Sequence, residues 1–393
     1  MSLRVGIVGA GIGGLALAHA LRRRGIDVTV YDRDAGPDAT DGYRLHLTEA
    51  AFAALAGVLP ESSMRALRDC GAGNDAFRQF AVIDHRGRTR LRIPVRHSGE
   101  VLLIGRRPLR TILARGLDDI IRWDTPVTGW TRSADGVVLA DGARYDVLIA
   151  ADGTGSTIAR RWLGRSTAQR SGVIGIAGRS ALPQRVPADL HTGLAFMIGP
   201  GGVGAFLSLH GKQGRDPAAE RPYVVWSVAA RAESPGADLA GQVHRWTSGW
   251  SADFHTLVDR SEVGSLAAFP FYFPAALRPW PAGPVTLLGD AIHPMPPTAG
   301  AGASTAILDA AHLADDLATR PVREALAAYQ SRLLTYAPPA VDEARPALRW
   351  QGRLGNPLVR ALAVRAVLPS VDAGLALWGR LRALPAVRTA ARR

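Results

Sequence analysis

Arg4-Val-Gly-Ile-Val-Gly9-Ala-Gly11-Ile-Gly-Gly14 decides the fold of this chain. Its first residues are a short, almost wholly apolar run, the pattern of a parallel strand covered on both faces. The glycines then form a tight turn. Gly9 allows the bend, Gly11 lets backbone N–H groups approach a pyrophosphate, and Gly14 permits close packing of helix on strand. Leu15 to Arg24 continue as a helix that Gly25 closes, and Asp27 to Asp32 return as a second apolar strand. Strand, glycine turn, helix and strand in about 30 residues make a βαβ unit. Asp32 ends the second strand 18 residues after Gly14, where a carboxylate can accept hydrogen bonds from a ribose diol. The set Gly9, Gly11, Ile12, Gly13, Gly14, Asp32 and Arg33 thus predicts a dinucleotide at the N-terminus of the first helix. Which dinucleotide is left open by these residues alone.

The 393 residues allow two or three domains. A hydrophobic fraction of 47% and a charged fraction of 21% exclude disordered, collagen-like and disulfide-scaffold classes. Cys70 is the single cysteine, so neither an intrachain disulfide nor a cysteine zinc site can form, which fits a reducing, cytoplasmic setting. The formal charge of +13 is almost all arginine, Lys212 being the one lysine, and such one-sided usage reads as compositional bias. Short clusters (Arg22 to Arg24, Arg160 and Arg161, Arg392 and Arg393) fit helix surfaces or a terminus, and Arg86, Arg88, Arg90 and Arg92 fit one solvated strand face. No reader module accompanies the charge, so nucleic acid is not an expected partner. No leader peptide or membrane span is expected either: Pro357 to Trp378, the most apolar late stretch, is broken by Arg360, Arg365, Pro369 and Asp372 and reads as amphipathic helices packed on the domain rather than lying on a membrane surface.

Further along, Phe77 to Asp84 and Arg88 to Pro94 read as a hairpin around His85-Arg-Gly87, Leu109 to Leu117 as a helix, and Val147 to Ala151 as a buried strand. Strand-like runs fill residues 172–273, at Val173 to Ile176, Gly193 to Ile198, Gly204 to His210, Tyr223 to Ala229 and Leu266 to Phe273, and predict an inserted antiparallel sheet. Helical periodicity returns from Ala303.

A second glycine-rich segment settles the dinucleotide. Val285-Thr-Leu-Leu-Gly289-Asp290-Ala-Ile-His293-Pro294-Met-Pro-Pro297-Thr-Ala-Gly300-Ala-Gly302-Ala-Ser304 reads as a buried strand delivering Asp290 to a turn, then a proline-rigid loop opening a helix whose N-terminus stabilises negative charge. Here the sequence resembles the flavoprotein aromatic hydroxylase family, the class A single-component FAD monooxygenases typified by p-hydroxybenzoate and salicylate hydroxylases. The family's Gly-Asp motif matches at Gly289, Asp290, His293, Pro294, Pro297, Gly300 and Gly302. Its Asp-Gly motif matches at Asp152 and Gly153, and its R-x-x-L-x-x-x-L pattern at Arg106, Leu109 and Leu113.

The resemblance implies an α/β fold of the glutathione-reductase type: a discontinuous FAD domain (1–75, 100–170, 283–340), an inserted substrate sheet (76–99, 171–282) and a helical segment (341–393). It implies that Asp290 holds the ribityl chain, that Arg106 contacts the flavin side chain, that Asp152 and Gly153 lie near the pyrophosphate, and that Gly300, Ala301, Gly302 and Ala303 meet the ring. It further implies that NADPH or NADH reduces FAD, that O₂ adds at the flavin C4a carbon, and that the hydroperoxide so formed hydroxylates an aromatic or polyketide-like substrate of secondary metabolism. Relatives often carry glutamine where Ala301 stands, asparagine where Ser304 stands, and an arginine where Ala159 precedes Arg160. The implied enzyme is a monomer or homodimer. A flavin reductase or dehydrogenase, or a non-catalytic flavin-dependent binder, is compatible with the same motifs. A flavin halogenase is not, because Lys212 lies far from the place such an enzyme needs its lysine.

Substrate contacts are expected from Phe196, Phe206, Trp226, Phe271 and Pro297, although alternation at Phe269, Phe271 and Phe273 fits sheet core better than a pocket wall. The segment Gly42-Tyr43-Arg44-Leu-His46 approaches the ring edge in relatives. It offers Arg44 as a flavin-edge ligand or an exposed ion-pair partner, and His46 as an acid–base group or a structural histidine.

Overall fold

The opening strand, Arg4–Val8, lies at the centre of a five-stranded, wholly parallel sheet in the order Val285–Leu287, Val147–Ala150, Arg4–Val8, Asp27–Tyr31 and Ile121–Arg122. The computed structural model describes residues 3–40, 42, 44–182 and 185–383; Tyr43 and the Arg392–Arg393 pair lie outside the described residues. Val5, Ile7 and all of Val147 to Ala150 are fully buried, as strands sandwiched between helices must be. The first helix is Ile12–Arg23, three residues longer at its start than the periodicity predicts, because the turn glycines themselves take up helical conformation. Gly9 has a φ of 111°, and a Cβ on Gly14 would strike the Gly9 carbonyl, so both positions demand glycine. Gly25, with φ 71°, follows the helix and donates to the Arg22 carbonyl at 3.0 Å.

The second sheet has seven strands in the order Ala267–Pro274, Ala168–Ala181, Tyr223–Arg231, Gly204–His210, Gly193–Ile198, Gln79–Asp84 and Thr89–Pro94. It departs from the expected antiparallel sheet at one place: Gly193–Ile198 runs parallel to Gln79–Asp84. The latter belongs to the early hairpin and reaches the sheet by its own crossover, which frees its direction. Alternation along the strands divides the sheet's faces. Leu207, Leu209, Val224, Trp226 and Val228 pack beneath helices Leu239–Trp246 and Ala252–Asp259, whereas Phe206, Ser208, His210 and Tyr223 belong to the opposite face.

The arginines of the hairpin do not form one solvated row. Arg86 and Arg88 lie in the turn before strand Thr89–Pro94. Arg90 is half-buried on the buried Asp84 at 2.6 Å, and Arg92 pairs with Asp189 at 2.7 Å. A break in register between Val82 and Ile83 interrupts the alternation that the row required.

Helices Gly302–Thr319 and Val322–Glu343 cover the parallel sheet. Beyond them run Arg345–Leu354, Pro357–Leu362, a π-helical turn Ala363–Val367, and Leu368–Ala383. Their expected packing on the domain is only half fulfilled. Ala363, Val364, Leu368 and Leu375 pack on Val82, Leu91 and Ile198, while Trp350, Leu358, Val359, Leu362, Val367, Val371 and Leu377 of the same run stay exposed.

Candidate functional site

The nucleotide end of the cleft is built around an arginine inside the R-x-x-L pattern whose role the sequence did not signal. Arg110, on helix Arg106–Ala114, is 3% exposed and stacks over the Trp123 ring at 5.2 Å. Its Nε donates to the Ala10 carbonyl at 2.8 Å, Nη1 pairs with Asp34 at 2.6 Å, and Nη2 reaches Asp32 at 3.1 Å. Asp32 also accepts from the backbone N–H groups of Ala10 at 2.5 Å and Asp34 at 2.8 Å. Three donors on a carboxylate with about four lone-pair positions leave room for one hydroxyl. Nothing lies within 4 Å of where a Gly11 Cβ would stand, so the helix N-terminus faces open space as a pyrophosphate cradle needs. Arg33 is exposed nearby.

The Gly-Asp and Asp-Gly segments meet at Asp290. This residue is solvent-exposed with protein packed closely around it. Thr154 lies close to its carboxylate and favours the charged form, and one Asp290 oxygen lies 3.9 Å from where a Gly302 Cβ would stand. Enclosure raises the Asp290 carboxyl above the usual range against the opposing charges of His293 and Arg106. Arg106 is exposed, begins its helix, and lies against Gly42, where a Cβ would come within 3.0 Å of Arg106 Cδ. Asp152 caps helix Thr157–Leu163 by accepting from Thr157 N at 2.9 Å, while its Oδ1 has no partner. Gly153, with φ 79°, faces open space, and Arg160 is exposed.

Beneath Asp290 lies a buried pair. His293 and Asp309 are both wholly buried, and His293 Nε2 meets Asp309 Oδ2 at 2.7 Å. Asp309 also accepts from Gly289 N at 2.8 Å and Tyr336 Oη at 2.5 Å, so it fixes the turn that aims Asp290. Burial opposes a charge on His293, but the Asp309 charge and hydrogen bond, with Asp290 beyond, outweigh it and raise the His293 pKa.

At the other end of the cleft, Pro297–Ala299 forms a single 3₁₀ turn with Pro297 exposed, Gly300 follows in the left-handed conformation with φ 65°, and Ala301, Gly302 and Ala303 stand half-exposed at the mouth of helix Gly302–Thr319. His46 lies against Gly300, 3.5 Å from where its Cβ would be. Strand Arg44–Leu47 is tied there by Ser304, whose Oγ donates to His46 O at 3.1 Å and accepts from Thr48 N at 3.0 Å. The serine standing where relatives carry asparagine therefore positions the His46 strand. Ser304→Ala is expected to cost about 1–2 kcal/mol by leaving two backbone groups unpaired, readable as a lower urea midpoint. The His46 ring meets Phe77 edge-on at 5.0 Å, its Nε2 is buried without a partner, and burial with the nearby His97 lowers its pKa.

Of the two roles expected of Arg44, the exposed ion-pair partner is not what the structure shows, and its Nε and Nη2 are buried without a partner. Its guanidinium is buried and crosses to the second sheet, where Nη1 donates to Ser208 Oγ at 2.9 Å and to the Leu209 carbonyl. Burial lowers its pKa to about 10, opposed by Tyr223 and Glu220. Arg179 braces the sheet, pairing with Glu220 at 2.8 Å and Glu262 at 2.6 Å.

Three of the aromatic substrate candidates are core. Trp226 is fully buried on the helix-covered face and donates to Ser261 at 3.1 Å. Phe271 is 3% exposed and stacks on Phe269 at 5.7 Å against Leu348, while Phe196 packs under the last helices. Phe206 keeps the parity of Ser208, on the face that Arg44 touches.

A parallel βαβ sheet with a glycine cradle, a mixed sheet crossing to it through Arg44, and a cleft joining Asp290 to His46 together define a flavin-binding α/β fold. Comparison with known proteins agrees. The pattern of an FAD binding domain matches residues 122–350, and that of an NAD(P)-binding Rossmann-like domain matches residues 7–45. Zeaxanthin epoxidase of Arabidopsis thaliana is 30% identical over 334 residues, 78% of this chain and 47% of the plant enzyme, so the chain spans about half the length of that relative. Aurachin C monooxygenase/isomerase of Stigmatella aurantiaca is 28% identical over 355 residues, covering 84% of both chains. The crystal structure of a putative FAD-containing monooxygenase from Photorhabdus luminescens superposes with a TM-score of 0.75 at 28% identity, over 90% of this chain and 98% of that one. HpxO of Klebsiella pneumoniae, solved with FAD and uric acid, shares the fold with a TM-score of 0.76 at 20% identity, over 93% of this chain and 92% of that one. The chain belongs to the FAD-binding family of flavoprotein aromatic hydroxylases and monooxygenases, and its cofactor is FAD.

Proposed function

We propose that this chain takes electrons from NADPH or NADH and places one atom of O₂ on an aromatic or polyketide-like small molecule. The observation that carries the reading is that three segments far apart in sequence meet at the Gly-Asp loop, with Thr154 close to Asp290 and His46 against Gly300. Bound FAD supplies the redox chemistry, passing electrons from the pyridine nucleotide to O₂. The chain's own residues do the rest. Gly11 and the first helix receive the pyrophosphate, Asp32 a ribose hydroxyl, and Asp290 with Arg106 the chain leading to the ring. His46 is neutral at pH 7, because burial lowers its pKa, and its unpartnered Nε2 can accept a phenolic proton from a substrate between Gly300 and the Phe206 face. Relatives named for zeaxanthin and aurachin C, and a neighbour holding uric acid, support an extended, electron-rich organic substrate.

The test is anaerobic flavin bleaching by NADPH or NADH across a panel of phenolic and polyketide compounds, followed by aeration and mass analysis. A compound that accelerates bleaching and then gains one oxygen supports the reading. Product formed without O₂ identifies a reductase, and a flavin that never bleaches identifies a binder. With such a compound, His46→Gln is expected to lower kcat/KM about a hundredfold and flatten its acid limb, with FAD content unchanged.

A further inference from the structure

Residues 345–393 hold ten arginines and one acidic residue, Asp372; five of those arginines, Arg345, Arg349, Arg353, Arg360 and Arg365, fall within residues 345–377 against that one acid. The arginine excess is therefore not spread evenly. Asp372 is taken up by Arg92 of the second sheet, whose backbone N–H donates to it at 2.7 Å and whose guanidinium lies 3.9 Å away. Along the same helices Leu358 is 80% exposed and Leu362 63%, and Val359, Val367, Val371 and Leu377 are exposed with them. The inward side is already filled by Val364, Leu368 and Leu375. A helix run apolar both inward and outward is out of place at a water-facing surface unless the outward side meets something.

We propose that residues 345–377 form a docking surface for an anionic lipid bilayer, with the helices lying on the membrane. Charge and apolarity together select this occupant. A second copy of the chain would bring two strongly positive faces together, and a nucleic-acid backbone would leave the exposed leucines and valines in water. Anionic headgroups neutralise the arginines while the aliphatic side chains enter the acyl boundary. None of the described helices is long and apolar enough to cross a membrane, so the helices lie on it rather than span it. The positive surface continues onto the second sheet, where Arg345 and Arg349 share a groove of about 430 Å³ with Arg170 and Arg231. It also adjoins the cleft: Thr298, in the Gly-Asp loop, donates to Ala344 O at 2.9 Å, one residue before the run begins. A lipophilic substrate could thus pass from bilayer to cleft; that last step rests on the proposed function, whereas the docking does not.

The experiment is flotation of the FAD-loaded full chain with vesicles of phosphatidylcholine alone and of phosphatidylcholine with about one-quarter phosphatidylglycerol. Binding to the anionic vesicles at least about tenfold tighter than to the neutral ones is expected, falling steeply at about 0.5 M salt. Leu358→Asp with Leu362→Asp, and separately Arg360→Gln with Arg365→Gln, should each weaken it about tenfold while FAD content and melting temperature stay unchanged. The arginine pair keeps the test valid should the leucine pair fold poorly. Equal partition on both vesicles, or none, overturns the proposal. So does a concentration-dependent dimer in lipid-free light scattering that the leucine pair abolishes, since the face would then belong to a second copy. Docking without catalysis would leave the membrane assignment standing and count against the proposed activity alone.

Discussion

Arg110→Met is expected to unfold the chain more easily by about 3–5 kcal/mol, the range for breaking a buried ion pair from one side. Methionine fills much of the same volume, so the loss isolates charge and hydrogen bonds from packing. Asp32, 10% exposed at its side chain, would lose its cation, as would the 30% exposed Asp34, and the Ala10 carbonyl would lose its donor. Solvent around Asp34 screens part of that effect, which favours the lower half of the range. Because Ala10 lies inside the glycine turn and its N–H donates to Asp32 at 2.5 Å, FAD affinity should fall with stability. Arg110→Lys keeps a charge but lacks the planar fork that reaches three acceptors, and should recover only a minor share of both. Urea unfolding with and without FAD measures the two effects. A change under about 1 kcal/mol would mark Arg110 as an ordinary surface charge.

The cradle was legible in the sequence because its constraints are local. A left-handed turn at Gly9 and the close approach of Gly14 to the Gly9 carbonyl can be met only by glycine, and both follow a strand of recognisable composition. Asp290 was legible for the same reason, since its turn is held by glycines and prolines near in sequence. What was not legible depends on partners far along the chain. Trp226 and Phe206 read as substrate candidates, but the helices that bury Trp226 come from residues 239–259 and nothing in the strand announces which face they cover. Arg44 reads as a flavin-edge ligand or an exposed ion-pair partner, and nothing in its own segment announces that Nη1 will cross to the strand at 204–210. Arg110 was hidden by the arginine-rich composition itself, which made each arginine resemble surface, although its spacing of four from Arg106 places both on one side of the helix.

Asp309→Ala should be the more damaging change and, unlike Arg110→Met, should carry a pH signature. It strips the acceptor from three buried or half-buried donors, His293 Nε2, Gly289 N and Tyr336 Oη, beneath the turn that presents Asp290. At pH 6 the expected loss is about 3–5 kcal/mol, with FAD affinity lost as the Gly289 turn relaxes. The His293 pKa is raised in the folded chain above its ordinary value of 6.5. The pair's contribution is therefore complete below about pH 6.5, and it declines as pH rises through the folded value and the imidazole loses its proton. The stability gap between the native chain and Asp309→Ala should accordingly narrow from pH 6 to about pH 9. Asp309→Asn separates charge from geometry, because its amide oxygen can still accept from Gly289 N while offering His293 no negative charge. It should restore part of the stability and of the FAD affinity, yet show the same narrowing gap, since without the carboxylate burial alone acts on His293 and favours its neutral form. A gap that stays constant across this range would mean that His293 is neutral throughout and that Asp309 acts only as a hydrogen-bond acceptor for the Gly-Asp turn.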